Sequence, residues 1–440
     1  MKHTDLPVLP GEQPFSLPGF SFPDIISPSL HKGNMAQTHC YFPESGQSAI
    51  SLRISLKGEE DNYKRDWTEA INEYVIDNNK FPYGQSETQW WEYCLAPHSY
   101  LPLNDGKIQV GLNFFNRFLH INFNSLSAQL VDPCLGNEML STTNWYDQKT
   151  GEMWFASWPI EGSVQRINNS QENVRVSIWK YSVLNSHIEQ VWQGDFGDSL
   201  HQITLSPDRC FLVLTELGLR LKEDIPAESP DQAPSVWKRV RERRLLPSEI
   251  LILDLQSGEE WRLPMLTAGH VEFDPEDQEL CYLSGHNIGL IGPNVGIFGA
   301  GTIKKFRLKK NRPELIGEFS HPLFHRITTH IVFRHRGKTI IGVTGYPDTI
   351  FLIDSVTMKL YKTIAMEPGE KVEISKCPHI CKQDSYGIAA SVDGEAIFAA
   401  GTGFVNAALI DEGLFFFNKK IENYDDNSCF TGHLGIFPKR

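Results

Sequence analysis

The chain has 440 residues, of which 40% are hydrophobic and 22% are charged, and its formal net charge is −13 at pH 7. This composition is typical of a folded, water-soluble protein and excludes a chain that is disordered throughout. The negative charge disfavours a nucleic-acid partner, because phosphate binding needs a basic face.

The N-terminal segment is rich in proline, with prolines at positions 7, 10, 14, 18 and 23. We predict a Pro-rich extension over residues 1–35 and a single domain over residues 36–440. No apolar stretch is long enough for a signal peptide or approaches the roughly 20 residues of a membrane span. Eight cysteines are spread without the density of a disulfide scaffold. These features predict a cytoplasmic protein without a transmembrane segment.

Secondary-structure patterns indicate one helix and many strands. Residues 61–77 place Trp67, Ile71 and Val75 at helical spacing, which predicts a peripheral helix. Elsewhere the chain divides into short β-branched and aromatic runs bounded by turn residues, such as VRVSIWKY, FLVLTEL and EILILDL. Many short strands at regular spacing favour a sandwich, a barrel or a propeller.

A repeated frame distinguishes these architectures. In HQITLSPDRCFLVLTE, His201 is followed seven residues later by Asp208, at the turn into a second strand. The same frame begins at His39, His98, His270 and His330, and copies without the histidine occupy residues 141–157 and 386–401. Seven copies predict an all-β fold, a seven-bladed β-propeller with blades of roughly 50 to 70 residues. Chance recurrence among 15 histidines is the alternative.

Residues 221–248 interrupt the blade that begins at His201. The first half of this insertion is acidic and rich in proline and serine, and the second half contains the basic run WKRVRERRLL at residues 237–246. The insertion is either a lid or an amphipathic helix that contacts a membrane surface or an acidic partner, or a solvated loop with a short charged helix.

The recurring histidines predict a metal site. The first strand of each propeller blade lines the central channel, so equivalent residues of several blades converge at one end of the axis. We expect this convergence for His98, His201, His270 and His330, with His39 either a fifth ligand or a hydrogen-bond donor to a ligand. Neutral imidazoles favour a first-row transition metal, namely iron, manganese, copper or zinc. Of these metals we expect iron first. The competing interpretation is that the imidazoles bond backbone groups and brace the joints between blades.

One acidic residue accompanies the histidines. Strand alternation puts Glu272 on the same face as His270. We predict that Glu272 either bonds a ligand imidazole or acts as a catalytic base.

Four segments, YDQKTGEMWFASW, SLHQITLS, AGHVEFDPED and FTGHLGIF, resemble parts of the carotenoid cleavage oxygenases. That family consists of seven-bladed propellers whose axial iron is held by four histidines. The resemblance implies His201, His270 and His433 as metal ligands. The position of the family's first histidine falls near Thr143 or Asn144, so one ligand of the family is missing here. The oligogalacturonate lyases, which use a four-ligand axial metal for β-elimination, fit to the same extent.

Three other segments offer weaker candidates. Cys377, His379 and Cys381 are potential zinc ligands, but a zinc site needs a fourth ligand and usually a two-residue gap between cysteines, which favours a loop before the last blade. The Gly-rich residues 285–301 lack the strand-to-helix context of a phosphate cradle. The aromatic cluster at residues 88–94 either lines an apolar pocket or packs between blades.

Two function hypotheses follow. The first is a metal-dependent enzyme of oxidative or lyase chemistry that acts on a small, largely apolar or aromatic molecule at the histidine-lined axis. The second is a non-enzymatic propeller that binds a protein or a small molecule on its top face. Nothing in the sequence sets the oligomeric state.

Overall fold

The structure is a computed structural model. It describes residues 29–30, 33–42, 47–55, 97–103, 107–112, 118–122, 127–131, 133–136, 138–141, 144–147, 149–159, 174–182, 184–196, 200–216, 220–221, 245–246, 248–265, 269–285, 288–291, 294–297, 301–309, 312–321, 326–346, 349–365, 385–390, 393–401, 404–420 and 434–438.

Antiparallel strands in separate sheets make up the first half of the fold. Sheet 1 begins with β1 (Ser29–Leu30), β2 (Gly33–Phe42) and β3 (Gln47–Ser55). Sheet 2 contains β4 (Pro97–Pro102), β5 (Lys107–Leu112), β6 (Phe118–Asn122) and β7 (Ser127–Val131). Sheet 3 contains β8 (Glu138–Leu140), β9 (Trp145–Asp147), β10 (Glu152–Pro159), β11 (Val174–Ser182) and β12 (His187–Phe196).

The next two sheets each contain a two-stranded excursion. Sheet 4 contains β13 (Leu200–Leu205), β14 (Phe211–Glu216), β17 (Ser248–Asp254) and β18 (Glu260–Met265), and its excursion is the hairpin of β15 (Arg220–Leu221) and β16 (Leu245–Leu246). Sheet 5 contains β19 (Val271–Phe273), β20 (Leu280–Gly285), β23 (Thr302–Lys309) and β24 (Arg312–Ser320), and its excursion is the hairpin of β21 (Ile288–Ile291) and β22 (Asn294–Ile297).

The last two sheets are regular, and the final strand returns to the first sheet. Sheet 6 contains β25 (Arg326–His335), β26 (Lys338–Tyr346), β27 (Thr349–Asp354) and β28 (Lys359–Ala365). Sheet 7 contains β29 (Ser385–Ala390), β30 (Ala396–Gly401), β31 (Phe404–Leu409) and β32 (Leu414–Lys420). Strand β33 (Leu434–Pro438) pairs with β3 and completes sheet 1.

The described part of the chain is therefore all-β, as predicted, and its four-stranded antiparallel sheets are compatible with a propeller. All seven predicted frames fold as antiparallel hairpins, namely β2–β3, β4–β5, β9–β10, β13–β14, β19–β20, β25–β26 and β29–β30. The predicted insertion coincides with the excursion between the paired strands β14 and β17.

Burial changes from one edge of a sheet to the other. Every residue of β13, β14 and β20 is buried, so both faces of these strands are covered. The last strand of sheet 4, β18, alternates between exposed and half-buried residues along most of its length. This gradient is typical of sheets that pack face to face around an axis and expose their last strand.

The hydrophobic core lies between consecutive sheets. One cluster joins sheets 4 and 5 through residues such as Val213, Ile252, Val271 and Leu283. Other clusters join sheets 2 and 3, sheets 5 and 6, and sheets 6 and 7. In these four pairs of sheets, apolar burial holds one sheet against the next along the chain.

The first strands contact one another in sequence order. Strand β4 contacts β9, β9 and β10 contact β13, β13 contacts β19, β19 contacts β25, and β25 contacts β29. Strand β29 then contacts β33, which contacts β4. In sheet 1, therefore, β33 occupies the place that the first strand occupies in other sheets.

Several predictions fall outside the described residues. They are the helix at 61–77, the aromatic cluster at 88–94, the loop around Cys377, and most of the extension over 1–35 and of the basic run at 237–246. Strand β2 begins at Gly33, just before the predicted domain boundary. Among the described residues, no helix could span a membrane.

Candidate functional site

Two of the candidate histidines occupy the same backbone position. The pairing of β13 with β14 shifts register between Leu200 and Gln202, so His201 is the extra residue of a β-bulge. The pairing of β4 with β5 shifts between Pro97 and Ser99, which gives His98 the same place. A bulge redirects a side chain from the regular alternation of a strand. The side chain of His98 itself lies outside the described part of the structure.

His330 has the same spacing to its turn but a different place on its strand. The register shift of β25 lies between Ile327 and Thr329, two residues before His330. Only two residues connect the last pair of β25 and β26, whereas six separate Leu205 from its partner Leu212. Equal distance in sequence therefore does not give equal position in the sheet.

The sheet order separates His39 from the other candidates. His39 lies on β2, and β3 stands between β2 and the strand β33 that contacts β4 and β29. The side chain of His39 is outside the described residues, as is all of His433. In sequence, however, His433 immediately precedes β33, as His270 immediately precedes β19.

His201 and His270 lie side by side at the start of neighbouring first strands. Their ring centroids are 4.4 Å apart with an interplanar angle of 66°, and both residues are buried. The backbone of His270 is fixed by Ser284, whose N–H donates to the His270 carbonyl at 2.9 Å. The Ser284 hydroxyl in turn accepts the His270 N–H at 2.9 Å.

The hydrogen bonds of this pair assign the ring protons. His201 Nδ1 lies 3.4 Å from the Gly269 carbonyl oxygen, and His270 Nδ1 lies 2.8 Å from Gln202 Oε1. Both partners are acceptors, so each neutral imidazole carries its proton on Nδ1. Both rings consequently have their lone pair on Nε2, the arrangement common among histidines that ligate a metal.

Glu272 lies on β19, two residues after His270. Its side chain is half-buried, and burial raises the pKa of its carboxyl group to about 7. A hydrogen bond from the Gln202 side chain opposes part of that increase. The predicted bond between Glu272 and a ligand imidazole stays a prediction, and the partner of His270 Nδ1 is Gln202 Oε1.

His330 is bonded in the opposite sense. Its Nε2 lies 3.0 Å from the Tyr282 carbonyl oxygen of the neighbouring sheet, so the proton is on Nε2. Burial lowers the pKa of this imidazole from 6.5 to about 4. Within the described residues, Nδ1 of His330 is buried without a hydrogen-bond partner. This geometry favours a structural role for His330, which connects sheet 6 to sheet 5 through its bond to Tyr282.

A further histidine joins two sheets and was not among the candidates. His335 is fully buried, and its two ring nitrogens lie 2.7 Å from the Gly394 carbonyl oxygen and 3.1 Å from Asp411 Oδ1. Gly394 lies in the turn between β29 and β30, and Asp411 lies in the turn between β31 and β32, both in sheet 7. His335 therefore connects sheets 6 and 7 in the way that the bracing interpretation predicts.

Across the residues that the structure describes, no group of three or more His, Cys, Asp or Glu side chains is placed to hold a metal ion. His201 and His270 are adjacent, and the side chains of His39, His98 and His433 lie outside the described residues. The six-histidine site remains a prediction.

The two hairpin excursions leave the sheets at the same end as this histidine pair. Strand β14 ends at Glu216, opposite Leu200, before the chain enters β15. Strand β20 ends just after Ser284, opposite His270, before the chain enters β21. Strands β15 and β21 contact each other. Both hairpins thus leave their sheets at the end where the histidine pair lies.

Comparison with protein-family models finds no match for this chain, and a search of curated proteins likewise finds none. The likeness to carotenoid cleavage oxygenases therefore rests on the four short segments alone.

Proposed function

We propose that the seven sheets are blades of a seven-bladed β-propeller closed by β33. The support is the order of contacts among first strands, which begins at β4, passes through every sheet and returns to β4 through β33. Joining an N-terminal and a C-terminal segment in one blade leaves no open edge between the first and last blades.

The axial end of this propeller, we propose, binds a transition metal through histidines that begin first strands. The observation that carries the proposal is the adjacent His201 and His270 pair, with both Nδ1–H groups donated to oxygen and both lone pairs on Nε2. His98 and His433 are the proposed remaining ligands, because they share the backbone or sequence position of the pair. His39 and His330 fit the pattern less well.

The proposed activity is oxidative or lyase chemistry on a small, largely apolar molecule. When bound, iron or a related metal would supply Lewis acidity or activate oxygen. Glu272 would move a proton at its carboxyl group, beside the pair. The hairpin β21–β22, which leaves its sheet at this end, has an apolar sequence that includes Ile288, Leu290 and Val295. Such residues favour an apolar substrate.

A cytoplasmic location is also part of the proposal. Among the described cysteines, the buried Cys281 forms no disulfide. Unbridged cysteines are typical of a reducing compartment.

The test is metal content. We would purify the full chain without a histidine tag, measure bound metal by mass spectrometry, and repeat after reconstitution with iron, zinc, copper and manganese. We expect near-stoichiometric metal in the wild type and in the control His187→Ala, whose histidine is exposed on β12. We expect a large loss in His201→Ala and His270→Ala.

Two outcomes would overturn this assignment. A wild type that binds none of the four metals would reject a metal-dependent enzyme. Full metal content in both variants would reject His201 and His270 as ligands.

The second candidate is a non-enzymatic propeller that binds a partner or a small molecule. It is favoured by His330 and His335, whose ring nitrogens bond carbonyl oxygens of a neighbouring sheet. If all histidines brace blades in this way, every variant folds less stably and none changes metal content.

A further inference from the structure

The innermost edge of β19 needs hydrogen-bond partners from outside its own sheet. Val271 pairs with Leu283, and the neighbouring Ser284 N–H bonds the His270 carbonyl. In an antiparallel ladder, the amide and carbonyl of successive residues point to opposite edges. The N–H and C=O of Val271 therefore point away from β20, where a buried backbone group without a partner would be costly.

Gln202 of the preceding sheet satisfies both groups. Its Oε1 accepts the Val271 N–H at 2.9 Å, and its Nε2 donates to the Val271 carbonyl at 2.9 Å. The side-chain amide thus pairs with β19 as a strand would. A flipped amide would put donor against donor and acceptor against acceptor, so only one orientation is compatible with these contacts.

This fixed orientation determines the state of His270. Because Oε1 faces the ring, at 2.8 Å from Nδ1, the proton of His270 is held on Nδ1. The same side chain also offsets part of the increase in the pKa of the Glu272 carboxyl group. One side chain therefore connects the backbone of β19, the imidazole and the carboxyl group of the candidate site.

We propose that Gln202 is a positioning residue that holds His270 as the Nδ1–H tautomer and thereby presents its Nε2 lone pair. The role of Gln202 in metal affinity rests on the proposed function, whereas its control of the tautomer does not. Partners that orient a ligand imidazole commonly change metal affinity by about 10- to 100-fold when removed.

The experiment compares Gln202→Leu and Gln202→Glu with the wild type. The leucine removes every hydrogen bond of the amide. The glutamate keeps an oxygen acceptor for His270 Nδ1 but loses the donor to Val271. Gln193→Leu is the matched control, because Gln193 is exposed on β12 and bonds Ser177 and Arg175. Urea unfolding of each variant monitors folding.

The first readout is the tautomer of His270, from ¹⁵N–¹H correlation spectra of the full chain labelled in histidine. The His270 signals are assigned by their loss in His270→Asn. We expect Nδ1–H in the wild type, in Gln193→Leu and in Gln202→Glu, and loss of that tautomer in Gln202→Leu. An unchanged tautomer in Gln202→Leu would overturn the inference.

The second readout is zinc affinity, measured by calorimetric titration of the full chain with Zn²⁺ alone. We expect binding about 10- to 100-fold weaker in Gln202→Leu, with smaller loss in Gln202→Glu. Equal affinity of wild type and Gln202→Leu would reject the effect of positioning on binding. If the wild type binds no metal while the tautomer still depends on Gln202, the proposed function fails and the control of the tautomer stands.

Discussion

The buried imidazole of His330 predicts a specific acid sensitivity of the fold. Its pKa falls from 6.5 to about 4 because burial disfavours the charged form, while the hydrogen bond to the Tyr282 carbonyl opposes part of this shift. Between these two values the unfolded chain binds a proton at this position and the folded chain does not. The contribution of neutral His330 is therefore complete above pH 6.5 and is lost as the pH falls towards 4.

The size of this effect follows from the two pKa values. At pH 4.5, proton linkage at His330 lowers the free energy of unfolding by about 2.5 kcal/mol relative to pH 7.5. The variant His330→Leu has no such group and should lack that part of the pH dependence. At pH 7.5 its stability should lie within about 2 kcal/mol of the wild type, because the lost hydrogen bond is offset by removal of a buried nitrogen without a partner.

Urea unfolding at pH 7.5 and pH 4.5 measures the difference. The quantity to compare is the loss of unfolding free energy between the two pH values in the wild type minus that in His330→Leu. Other titrating groups are common to both proteins and cancel. His187→Leu, which removes an exposed histidine, should retain the full wild-type dependence. Equal losses in wild type and His330→Leu would refute a buried, neutral His330.

Three further predictions concern the joints and the site. Gly394 and Gly258 both have positive φ, of +71° and +74°, but only at Gly394 would a Cβ collide with a backbone carbonyl. Gly258→Ala should cost about 1 kcal/mol of unfolding free energy, and Gly394→Ala about 3 kcal/mol or more, in urea titrations. Equal costs would contradict the close approach. His335→Leu should lower the free energy of unfolding by about 2 to 4 kcal/mol, because it removes the hydrogen bonds to Gly394 and Asp411. An unchanged urea midpoint would contradict the role of His335 in connecting sheets 6 and 7. Zinc at 100 times its Kd should stabilise the wild type by about 2.7 kcal/mol and His270→Ala much less, as a thermal-shift titration would show. Equal stabilisation would exclude His270 as a ligand.

The local elements of this fold are predictable from sequence, whereas the closure of the sheets is not. Each hairpin is defined within about 20 residues by apolar runs and a polar turn, so all seven predicted frames fold as hairpins. The strand that completes sheet 1 comes from residues 434–438, far along the chain from β3. No local pattern indicates that pairing. From sequence alone, His39 has the same spacing to its turn as the other candidates, although β3 separates its strand from β33.

The site was predictable in part, for a related reason. The predicted frame identifies His201 and His270, which do lie together. The frame, however, places each histidine by its distance in sequence from the turn, and the length of the turn differs between sheets 4 and 6. His330 therefore lies two residues after the bulge of its strand, whereas His201 is itself the bulge residue. Gln202 follows His201 directly in sequence, yet its role depends on Val271 in the next sheet, which only the tertiary arrangement reveals.

The bracing and metal-binding interpretations of the histidines are compatible, because each imidazole has two nitrogens. First strands have an edge that no strand of their own sheet pairs, so side chains from the neighbouring sheet supply donors and acceptors there. His201 uses Nδ1 for such a bond to Gly269, and the lone pair on Nε2 is a consequence of that bond. His330 uses Nε2 for a bond to Tyr282, which places its lone pair in the joint instead. The nitrogen that contacts the neighbouring sheet, rather than the presence of a histidine in the frame, thus distinguishes a proposed ligand from a brace.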